Sequence, residues 1–589
     1  MDPNLSRLLI IDLSSKTFRI EERTSLFEER IGGAGVAIRL LHEFCPKGTD
    51  PLGPDNPIIL AVGSLSALFP LASKCVAMFK SPLTGNLGES HAGGRTATSI
   101  RMAGFGAIVI TGKSSQPVYL SITHNDVQFL DARSLWGMAR GDTIARIIRT
   151  IDGNPGTRTI LRIGRAGEQL VRYAAVTSET YRHFGRMGLG AVFGSKLLKA
   201  IVISGDAAIP VNNIKGYRLL YDQIFDAVTK SPIMKKYHDV GTAVNVLPLK
   251  SLGSIPIKNL TTSQLEKSDQ LTGEEFVSNY LARRLACSHC PVSCIHLAQL
   301  RTSYPHDPYF FKTTSVCYDY ELIYSLGFTL GIANPKQVLS LIDEIEGTGM
   351  DAMSSGVVAA YVTEAMKNGL ITSDMTGGIE LEFGDTSSYM QFFKNLADQQ
   401  IPFYKNLGKG VDYTSQLYGG SEYALAFGKN EMPGYHTGLA AIIGYLTGAR
   451  HSHLDSAGYS VDQKPKQSTP EEIATQLYNE EAWRQILASL VICFFARGVY
   501  SEEMVQKCLE VSGISKTIDD LVLLGKQILY EKYQFKFREG FSFRNMRIPS
   551  RITTHPSGTG LISEKDIRKG IETYENLLLS SGTGPAQSE

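Results

Sequence analysis

The chain has 589 residues, well beyond the roughly 100 to 200 residues of a typical domain, so we expect two to four structural units packed together. Hydrophobic residues make up 43% of the chain and charged residues 20%, which is typical of a globular enzyme and not of a disordered protein. The 59 Lys and Arg residues against 58 Asp and Glu residues leave a formal charge of +1, so no overall field attracts nucleic acid or anionic lipid. We therefore predict that the chain binds no nucleic acid.

The sequence also shows no segment for export or membrane insertion. The N-terminal run LLIIDL is short, is interrupted by Asp12 and lacks the pattern of a cleaved signal peptide. The nearest candidate for a membrane span, residues 438–449, is too short and too rich in glycine to cross a bilayer. These features predict a cytoplasmic protein without a membrane anchor.

The first predicted elements are strands. Up to about residue 205, short β-branched runs alternate with Gly and Pro, which predicts a sheet-rich unit. The runs are RLLIIDLS, NPIILAVG, CVAMFKS, GAIVITGK, PVYLSIT, AAVTS and KAIVISG.

From about residue 213 the pattern changes to amphipathic helices, with apolar positions near i, i+3, i+4 and i+7. The clearest runs are NPKQVLSLIDEIEGTGM, GVVAAYVTEAMKNGL, EEIATQLYNEEAWRQILASLVICFFA and IDDLVLLGKQILYEKYQF. A softer boundary lies at 412–433, where Gly and Tyr accumulate. We predict an α+β fold with a β-rich N-terminal domain at 1–210 and two mostly α-helical domains at 211–415 and 416–589.

Two glycine-rich segments, 80–113 and 166–205, lie within the sheet-rich part. Each places closely spaced glycines next to Arg or Lys, so backbone N–H groups can approach anionic oxygens while a cation neutralises them. Neither segment is a P-loop, because the G-K-[ST] ending is missing, and GRMGLG matches the dinucleotide fingerprint poorly. The pattern indicates phosphate binding, and a tight turn without a ligand is the alternative.

The cysteines form the strongest motif. Three of the eight crowd into ACSHCPVSC as Cys287, Cys290 and Cys294, whereas disulfide scaffolds need many more. Three local thiolates plus a remote one commonly hold a cubane iron–sulfur cluster. A structural zinc site would need a second C-x2-C or an H-x3-5-H, and neither follows. Radical-SAM enzymes place x3 before x2, the opposite order.

The remote fourth ligand is Cys493 or Cys508, apart from Cys317. We favour Cys493 because it is expected in an apolar helical run that can bury a ligand. Cys508, in contrast, lies among charged and polar residues. The triplet would then belong to the second domain and the fourth cysteine to the third.

These motifs occur together with GGAGVAIRLL (32–41), YDYELIYSLG (318–327) and GTGMD (347–351), in one order along roughly residues 5 to 500. In this combination the chain resembles the aldehyde:ferredoxin oxidoreductase family. The resemblance implies that the β-rich domain binds two pyranopterin dithiolenes carrying tungsten or molybdenum, and that two helical domains cover the metal. It also implies one 4Fe–4S cluster close to one pterin.

The resemblance assigns cofactor-binding residues position by position. In the N-terminal domain these are Ala92, Gly93 and Gly94 after S-P-L-T-G, Arg186, Met187, Gly188 and Leu189, and Lys74 in place of a common arginine. His91 stands where the family usually has an asparagine that helps hold a bridging Mg²⁺. Two D-x-x-G-L-(D/C) motifs bind the second pterin in the family, and they correspond here to Glu346, Gly349, Met350 and Asp351 and, in a decayed form, to Ile492 and Cys493.

The resemblance also implies an acid–base pair beside the metal. A carboxylate and an imidazole can move the proton that leaves when an aldehyde is oxidised. Glu321, with Asp319 as its neighbour, matches the family carboxylate, and a solvated acid at a helix start is the alternative. His451 and His453 both match the imidazole, and the register favours His453.

The predicted function is the oxidation of an aldehyde to a carboxylic acid, or the reverse, with electrons passing through the cluster to ferredoxin or an iron–sulfur partner subunit. One alternative is the tungsten subunit of a low-potential reductase complex resembling aromatic acyl-CoA reductases. Another is a non-catalytic zinc scaffold. The family's subunit-bridging iron uses an E-x-x-H pair that has no counterpart in the sequence, so any homo-oligomer would associate through protein contacts alone.

Overall fold

The computed structural model describes residues 2–138, 140–179, 181–304, 306–464 and 468–581. Its N-terminal part contains two six-stranded sheets. The strands are β1 Arg7–Asp12, β2 Thr17–Glu22, β3 Ile58–Ala61, β4 Cys75–Lys80, β5 Leu87–Ala92, β6 Ala107–Thr111, β7 Val118–Ile122, β8 Val127–Asp131, β9 Thr157–Ile163, β10 Val176–Ser178, β11 Arg182–Phe184 and β12 Leu198–Gly205. The helices between them are α1 Thr24–Arg30, α2 Gly33–Phe44, α3 Thr96–Met102, α4 Gly141–Ile151, α5 Arg165–Glu168 and α6 Leu189–Ser195.

The two sheets meet at their edges. The first has the strand order β2-β1-β6-β3-β4-β5 and the second β11-β10-β9-β12-β7-β8. β1 pairs with β6, and β12 with β7, in parallel, while the other pairs are antiparallel. The edge strands β5 and β11 contact each other, which brings the two glycine-rich segments together.

The rest of the chain is mainly helical, as predicted. Its helices are α7 Ile214–Thr229, α8 Pro232–Val240, α9 Val246–Ser251, α10 Gly273–Asn279, α11 Tyr320–Ile323, α12 Pro335–Thr348, α13 Ala352–Lys367, α14 Thr386–Asp398, α15 Pro402–Leu407, α16 Val411–Tyr418, α17 Leu439–Thr447, α18 His453–Ser456, α19 Gly458–Asp462, α20 Pro470–Ser489, α21 Glu502–Val511, α22 Ile518–Arg538, α23 Arg551–Thr554 and α24 Glu564–Ser581. The predicted α+β class is confirmed, and the three-domain division stays a prediction.

The predicted helical runs begin and end for local reasons. α20 starts with a capping box in which the Thr469 and Glu472 side chains each accept a backbone N–H group of the other residue. The N-cap of α12 is Asn334, whose side chain accepts from two backbone N–H groups, and its C-cap is Gly349 in the left-handed conformation. The helix predicted through Cys493 is wrong at its end, because α20 stops at Ser489 and Val491 has a positive φ of 52°.

The helical part also contains strands that the sequence pattern did not predict. They are β13 Leu281–Leu285, β14 Ile295–Tyr304, β15 Asp307–Tyr318, β16 Ala426–Phe427 and β17 Asn430–Glu431. β13, β14 and β15 form an antiparallel three-stranded sheet. The cysteine triplet lies in the loop between β13 and β14, so this sheet holds the loop from both ends.

Close backbone approach joins the β-rich part to the C-terminal helices. α2 packs on α20, and a Cβ atom on Gly33 would lie 2.4 Å from the Ser489 carbonyl oxygen. A Cβ atom on Gly63 would lie 2.5 Å from the backbone of Leu490. Over the described ranges, the helices include none that combines the length and the apolar character needed to cross a membrane.

Candidate cofactor and catalytic site

A cavity of about 410 Å³ is lined by residues from both the β-rich and the helical parts. This volume lies within the range of ligand and cofactor sites. The sequence-predicted residues that line it are Lys74, His91, Gly93, Arg186, Met187, Cys287, Cys290, Cys294, Glu321, Glu346, Met350, Asp351, His453, Ile492 and Cys493. The predicted residues outside the lining are Ala92, Gly94, Gly188, Leu189, Gly349 and His451.

Backbone hydrogen bonds join three segments: the cysteine loop between β13 and β14 (286–294), the glycine turn after β5 (93–94) and the segment that follows α20. The Leu71 N–H group donates to the His289 carbonyl at 3.0 Å, and the Ser288 N–H group donates to the Gly94 carbonyl at 2.9 Å. The Cys493 N–H group donates to the Leu71 carbonyl at 2.9 Å. Residues more than 400 positions apart in the sequence are therefore fixed around one end of the cavity.

The four predicted cluster cysteines share one environment. Cys287, Cys290, Cys294 and Cys493 all line the cavity and are half-buried. Burial and the neighbouring thiols, Cys493 foremost, raise the pKa of Cys290 to about 12 and contribute to raising that of Cys294 to about 11. Among the residues that the structure describes, no three His, Cys, Asp or Glu side chains are arranged to hold a single metal ion.

The structure corrects the expected burial of the two candidate fourth cysteines. Cys493 lies beyond the end of α20 and not within a helix, while Cys508 is fully buried in α21. The two cysteines differ instead in their position relative to the cavity. Cys493 lines the cavity with the triplet, and Cys508 does not. Cys317 is a further lining cysteine, and the Arg182 guanidinium donates to its sulfur at 3.4 Å.

Glu321 and His453 form a pair across the cavity wall. His453 Nε2 lies 3.3 Å from Glu321 Oε1, and the Tyr435 hydroxyl donates to the same oxygen at 2.9 Å. Glu321 lies in the first turn of α11, and His453 begins α18. Burial raises the pKa of the Glu321 carboxyl, but the His453 imidazole and the Tyr435 hydroxyl outweigh it, so the net shift is downward. Glu321 is therefore ionised at neutral pH.

Asp319 behaves differently from its neighbour. Its carboxyl is the N-cap of α11 and accepts the Leu322 N–H group at 3.0 Å. Burial and the nearby Glu321 carboxylate raise the pKa of Asp319 to about 7. Two adjacent carboxyls thus have separated pKa values, which is the usual condition for proton transfer between acid and base groups.

His451 has a structural environment. Its Nδ1 atom lies 2.9 Å from the Tyr445 carbonyl oxygen and its Nε2 atom 3.0 Å from Lys536 Nζ. Burial and the Lys536 ammonium hold its pKa well below the usual range. The structure therefore places only the second histidine of GARHSH at the cavity.

The glycine turn and Arg186 approach the cavity from the β-rich part. Gly93 follows β5, and a Cβ atom on it would lie 2.6 Å from Cys287 Sγ. Arg186 Nε donates to Asp351 at 3.1 Å, and its Nη2 atom donates to the Glu431 carbonyl at 2.7 Å. Asp351 also begins α13 by accepting the Met353 N–H group. One salt bridge therefore joins the glycine-rich segment to the junction of α12 and α13.

Several lining residues were not predicted. Arg182 lies inside the second glycine-rich segment, where it was one of several cations. Arg450 directly precedes His451, the first of the two candidate histidines. Tyr435 lines the cavity, whereas the next residue, His436, is buried against the His555 carbonyl. Each of these residues lies close to a motif or a candidate residue in the sequence. The sequence alone does not show which of the neighbouring side chains lines the cavity.

Polar atoms of the cavity wall lack protein partners. Besides Glu89 Oε2, whose contact is the ion pair with Lys532, four lining residues carry a buried nitrogen or oxygen that accepts or donates no hydrogen bond within the described ranges. These atoms are His183 Nε2, Arg186 Nη1, Asn430 Oδ1 and His453 Nδ1. Buried polar atoms are nearly always paired, so the wall is complementary to a polar ligand.

Comparisons with known proteins identify the family. The family model for "Aldehyde ferredoxin oxidoreductase, N-terminal domain" matches residues 8–205, and that for "Aldehyde ferredoxin oxidoreductase, domains 2 & 3" matches residues 220–578. The tungsten-containing aldehyde ferredoxin oxidoreductase of Thermococcus kodakarensis is 28% identical over 580 residues, which cover 95% of this chain and 93% of that protein.

Two further proteins are more distant. The aliphatic sulfonate oxidoreductase WOR-like subunit of Pyrococcus furiosus is 26% identical over 411 residues, which cover 67% of this chain and 64% of that protein. The active site complex BamBC of benzoyl coenzyme A reductase, solved with 1,5-dienoyl-CoA, superposes with a TM-score of 0.82 at 18% identity. That alignment covers 98% of this chain and 95% of the other, and it shows a shared fold. Since the two family models together span most of the sequence, the chain is an enzyme that belongs to the aldehyde ferredoxin oxidoreductase family.

Proposed function

We propose that this chain oxidises an aldehyde to the carboxylic acid, or catalyses the reverse reaction, at a tungsten or molybdenum bis-pyranopterin centre in the cavity. The electrons would pass through a 4Fe–4S cluster to ferredoxin or an iron–sulfur partner subunit. One observation carries the proposal. A single cavity is lined both by the four cysteines and by the Glu321–His453 pair, so electron transfer and proton transfer groups lie around one space.

Family membership implies a tungsten–pterin cofactor and an iron–sulfur cluster, and the cavity residues fit both. The cations Lys74, Arg182, Arg186 and Arg450 line the cavity and suit an anionic cofactor. The unpartnered atoms of His183, Arg186 and Asn430 offer hydrogen bonds to its polar groups.

The thiol set fits a cubane cluster. Such a cluster takes one thiolate on each iron, so its ligands surround a cube and do not converge on one ion. We assign Cys287, Cys290, Cys294 and Cys493 as these ligands. Lys74 lies among them, since a Cβ atom on Gly93 would approach both Cys287 Sγ and Lys74 Nζ. Burial lowers the pKa of the Lys74 ammonium and the neighbouring cysteines raise it, with a net upward shift, so a positive charge faces the thiolates.

Conversion of an aldehyde and water to a carboxylic acid releases two electrons and two protons. The bound metal and cluster supply the redox chemistry. Glu321, which is ionised and accepts a hydrogen bond from the Tyr435 hydroxyl, would accept a proton. His453 Nε2, 3.3 Å away, can share that proton, and its Nδ1 atom is left for a second partner. His453 is buried, while the half-buried Glu321 carboxylate faces the cavity.

Aromatic side chains surround this pair. Tyr435 stacks on Tyr459 with ring centroids 4.4 Å apart and lies 5.0 Å from the His453 ring. Tyr237 and Phe495, which also line the cavity, stack at 4.2 Å. These walls support an uncharged organic substrate with an apolar group.

A substrate panel tests the proposal. Holoenzyme purified without oxygen would be mixed with aliphatic and aromatic aldehydes, an aromatic acyl-CoA thioester and an oxidised or reduced viologen dye. We expect aldehyde-dependent dye reduction with formation of the matching acid. Metal-replete enzyme that oxidises no aldehyde but converts the thioester would support the low-potential reductase alternative, for which the present support is only the shared fold.

A further inference from the structure

Four side chains form a compact polar group at one end of the cavity, beside the glycine turn. Glu89 and His91 lie on β5, Arg450 lies between α17 and α18, and Lys532 lies on α22. Glu89, His91 and Arg450 line the cavity. The Glu89 and Lys532 side chains are only 1% and 2% exposed, so their charges must be balanced within the protein.

Both oxygens of the Glu89 carboxylate are engaged by nitrogen atoms. His91 Nε2 lies 2.7 Å from Oε1, and Lys532 Nζ lies 2.5 Å from Oε2. Lys532 is fixed from its other side by Gln485 Oε1 at 2.6 Å. Burial raises the pKa of Glu89, but Lys532, His91 and Arg450 outweigh it and hold the carboxyl ionised.

This arrangement does not fit Mg²⁺. Magnesium needs oxygen ligands in a nearly octahedral shell at about 2.0–2.1 Å. The carboxylate at this end of the cavity is already shared by an imidazole and an ammonium group. A divalent cation here would also lie close to the Lys532 and Arg450 charges and be repelled by them. His91 itself offers nitrogen, which magnesium accepts poorly.

The same group instead offers hydrogen-bond donors to an anion. The side-chain Nε of Arg450 donates to Asp455 Oδ1 at 2.6 Å, and the backbone N–H group of Arg450 donates to Asp455 Oδ2 at 3.0 Å. Asp455 thereby fixes the side chain at one point, and neither Nη atom of Arg450 has a hydrogen-bond partner in the parts of the chain that the structure describes. A guanidinium fork suits two phosphate oxygens.

His91 is fixed in a comparable way. Its Nε2 atom faces Glu89, so its Nδ1 atom is the one left for a ligand. Burial, followed by the Arg450 and Lys532 charges, outweighs Glu89 and lowers the pKa of His91. An anion bound at Nδ1, opposite the Glu89 carboxylate, would stabilise the imidazolium. Lys532 keeps Glu89 ionised for this task.

We propose that Arg450 and His91, positioned by Asp455, Glu89 and Lys532, bind the phosphate oxygens of the pterin cofactor directly, and that this chain holds its cofactor without a bridging magnesium ion. The inference rests on the proposed function, because the phosphates belong to the cofactor proposed there. It differs from the family resemblance, which implies magnesium at this point.

Metal and pterin content of the wild-type holoenzyme test the proposal without any assay of activity. The protein would be purified without oxygen, gel-filtered in buffer with EDTA to remove loosely bound ions, and analysed for W, Mo, Fe and Mg and for pterin. We expect pterin with tungsten or molybdenum, and magnesium below about 0.1 per tungsten or molybdenum. About one magnesium per tungsten or molybdenum that survives EDTA would overturn the inference and leave the proposed function intact. Protein without tungsten, molybdenum and pterin would defeat both.

A matched pair of variants tests the residues themselves. Lys532 and Lys536 are both buried on α22, but only Lys532 contacts Glu89. We expect Lys532→Met and Arg450→Gln to lower pterin and tungsten or molybdenum per chain by at least about fivefold, because a charge-assisted contact to the phosphates is lost or weakened. Lys536→Met should retain the wild-type content. Equal content in all three variants would overturn the proposal, and the magnesium measurement on the wild type decides it if a variant fails to fold.

Discussion

At the scale of single residues, we expect catalysis to depend on the Glu321–His453 pair. General acid–base groups typically contribute about 100- to 10,000-fold in rate. We predict that Glu321→Gln and His453→Ala lose turnover on that scale while they keep iron, pterin and tungsten or molybdenum. The measurement is the rate of aldehyde-dependent dye reduction beside metal analysis of the same samples.

His451→Asn is the matched control for this pair. His451 lies two residues from His453 but contacts Tyr445 and Lys536 outside the cavity lining. It should therefore keep most of its activity per tungsten or molybdenum. A His451 variant that loses turnover while His453→Ala retains it would reverse the assignment. Loss of the metal from both Glu321 and His453 variants would show that the pair supports the cofactor and not the reaction.

The assignment of the fourth cluster ligand also concerns a single residue. Cys493 lines the cavity with the triplet, whereas Cys508 is buried in α21 away from it. We predict that Cys493→Ala removes or converts the cluster signal in electron paramagnetic resonance, and that Cys508→Ala leaves it unchanged. Loss of the signal only in the Cys508 variant would transfer the ligand role.

Glu346 gives a prediction about pH. Burial raises its pKa to about 8, from 4.5 for an exposed glutamate. The folded chain then holds this proton up to about pH 8, while the unfolded chain loses it above 4.5, so its contribution to stability falls as pH rises through that window. Glu346→Gln cannot ionise. Between pH 5 and 8, the free energy of unfolding of the wild type should fall by roughly 1–2 kcal/mol relative to that of Glu346→Gln. This value is smaller than the full pKa shift implies because the side chain reaches cavity water.

Denaturant unfolding of the cofactor-free proteins at several pH values measures this difference. The mutant and wild-type midpoints should converge at low pH and separate at high pH. Parallel pH profiles would show that Glu346 is ionised in the folded chain, and the assigned proton would then be wrong.

The turn after β5 requires a residue without a Cβ atom at Gly93. A Cβ atom on Gly93 would lie 2.6 Å from Cys287 Sγ and 3.2 Å from Lys74 Nζ. We therefore predict that Gly93→Ala displaces the cysteine loop and lowers the iron content to well under half. Gly498→Ala, where a Cβ atom meets nothing within 4 Å, should leave iron unchanged. Wild-type iron in the Gly93 variant would mean that the loop can shift without losing its cluster.

The helices and strands that the sequence predicted are those with a clear hydrophobic pattern. The β-branched runs became β1, β3, β4, β6, β7, β10 and β12, and the amphipathic runs became α12, α13, α20 and α22. β14 was missed because its first four residues are all buried and its last four are all exposed, so two-residue alternation is confined to the middle of the strand. β5 was missed because LGESHA buries polar side chains, which is itself the mark of a functional strand.

Site residues were predictable where a motif fixed their spacing and were missed where only tertiary structure decides. The triplet and Glu321 lie in recognisable local patterns. Nothing in the sequence shows that Lys532 lies 2.5 Å from Glu89, because 443 residues separate them. The end of α20 was misplaced for a related reason. Val491 has its positive φ where its carbonyl accepts the Lys74 N–H group and the Cys493 N–H group donates to the Leu71 carbonyl, so two hydrogen bonds join this turn to the β-rich part.

At the scale of the whole molecule, the cavity exists only because the β-rich and helical parts close around it. The Leu71–Lys74 segment bonds to both the cysteine loop and the end of α20, and Arg186 joins the glycine-rich segment to the start of α13. The residues proposed for proton transfer and the proposed cluster cysteines thereby line one space although they come from sequence regions far apart. We therefore predict that substrate oxidation and cluster reduction are coupled within a single chain.

Substrate-dependent reduction of the cluster tests this coupling most directly. Oxidised holoenzyme would be mixed with aldehyde without any acceptor, frozen, and examined by electron paramagnetic resonance. We predict that aldehyde produces the reduced-cluster signal in the wild type, and that Glu321→Gln develops the same signal about 100-fold or more slowly although dithionite reduces it normally. A metal-replete wild-type enzyme whose cluster responds to dithionite but to no aldehyde would contradict the account.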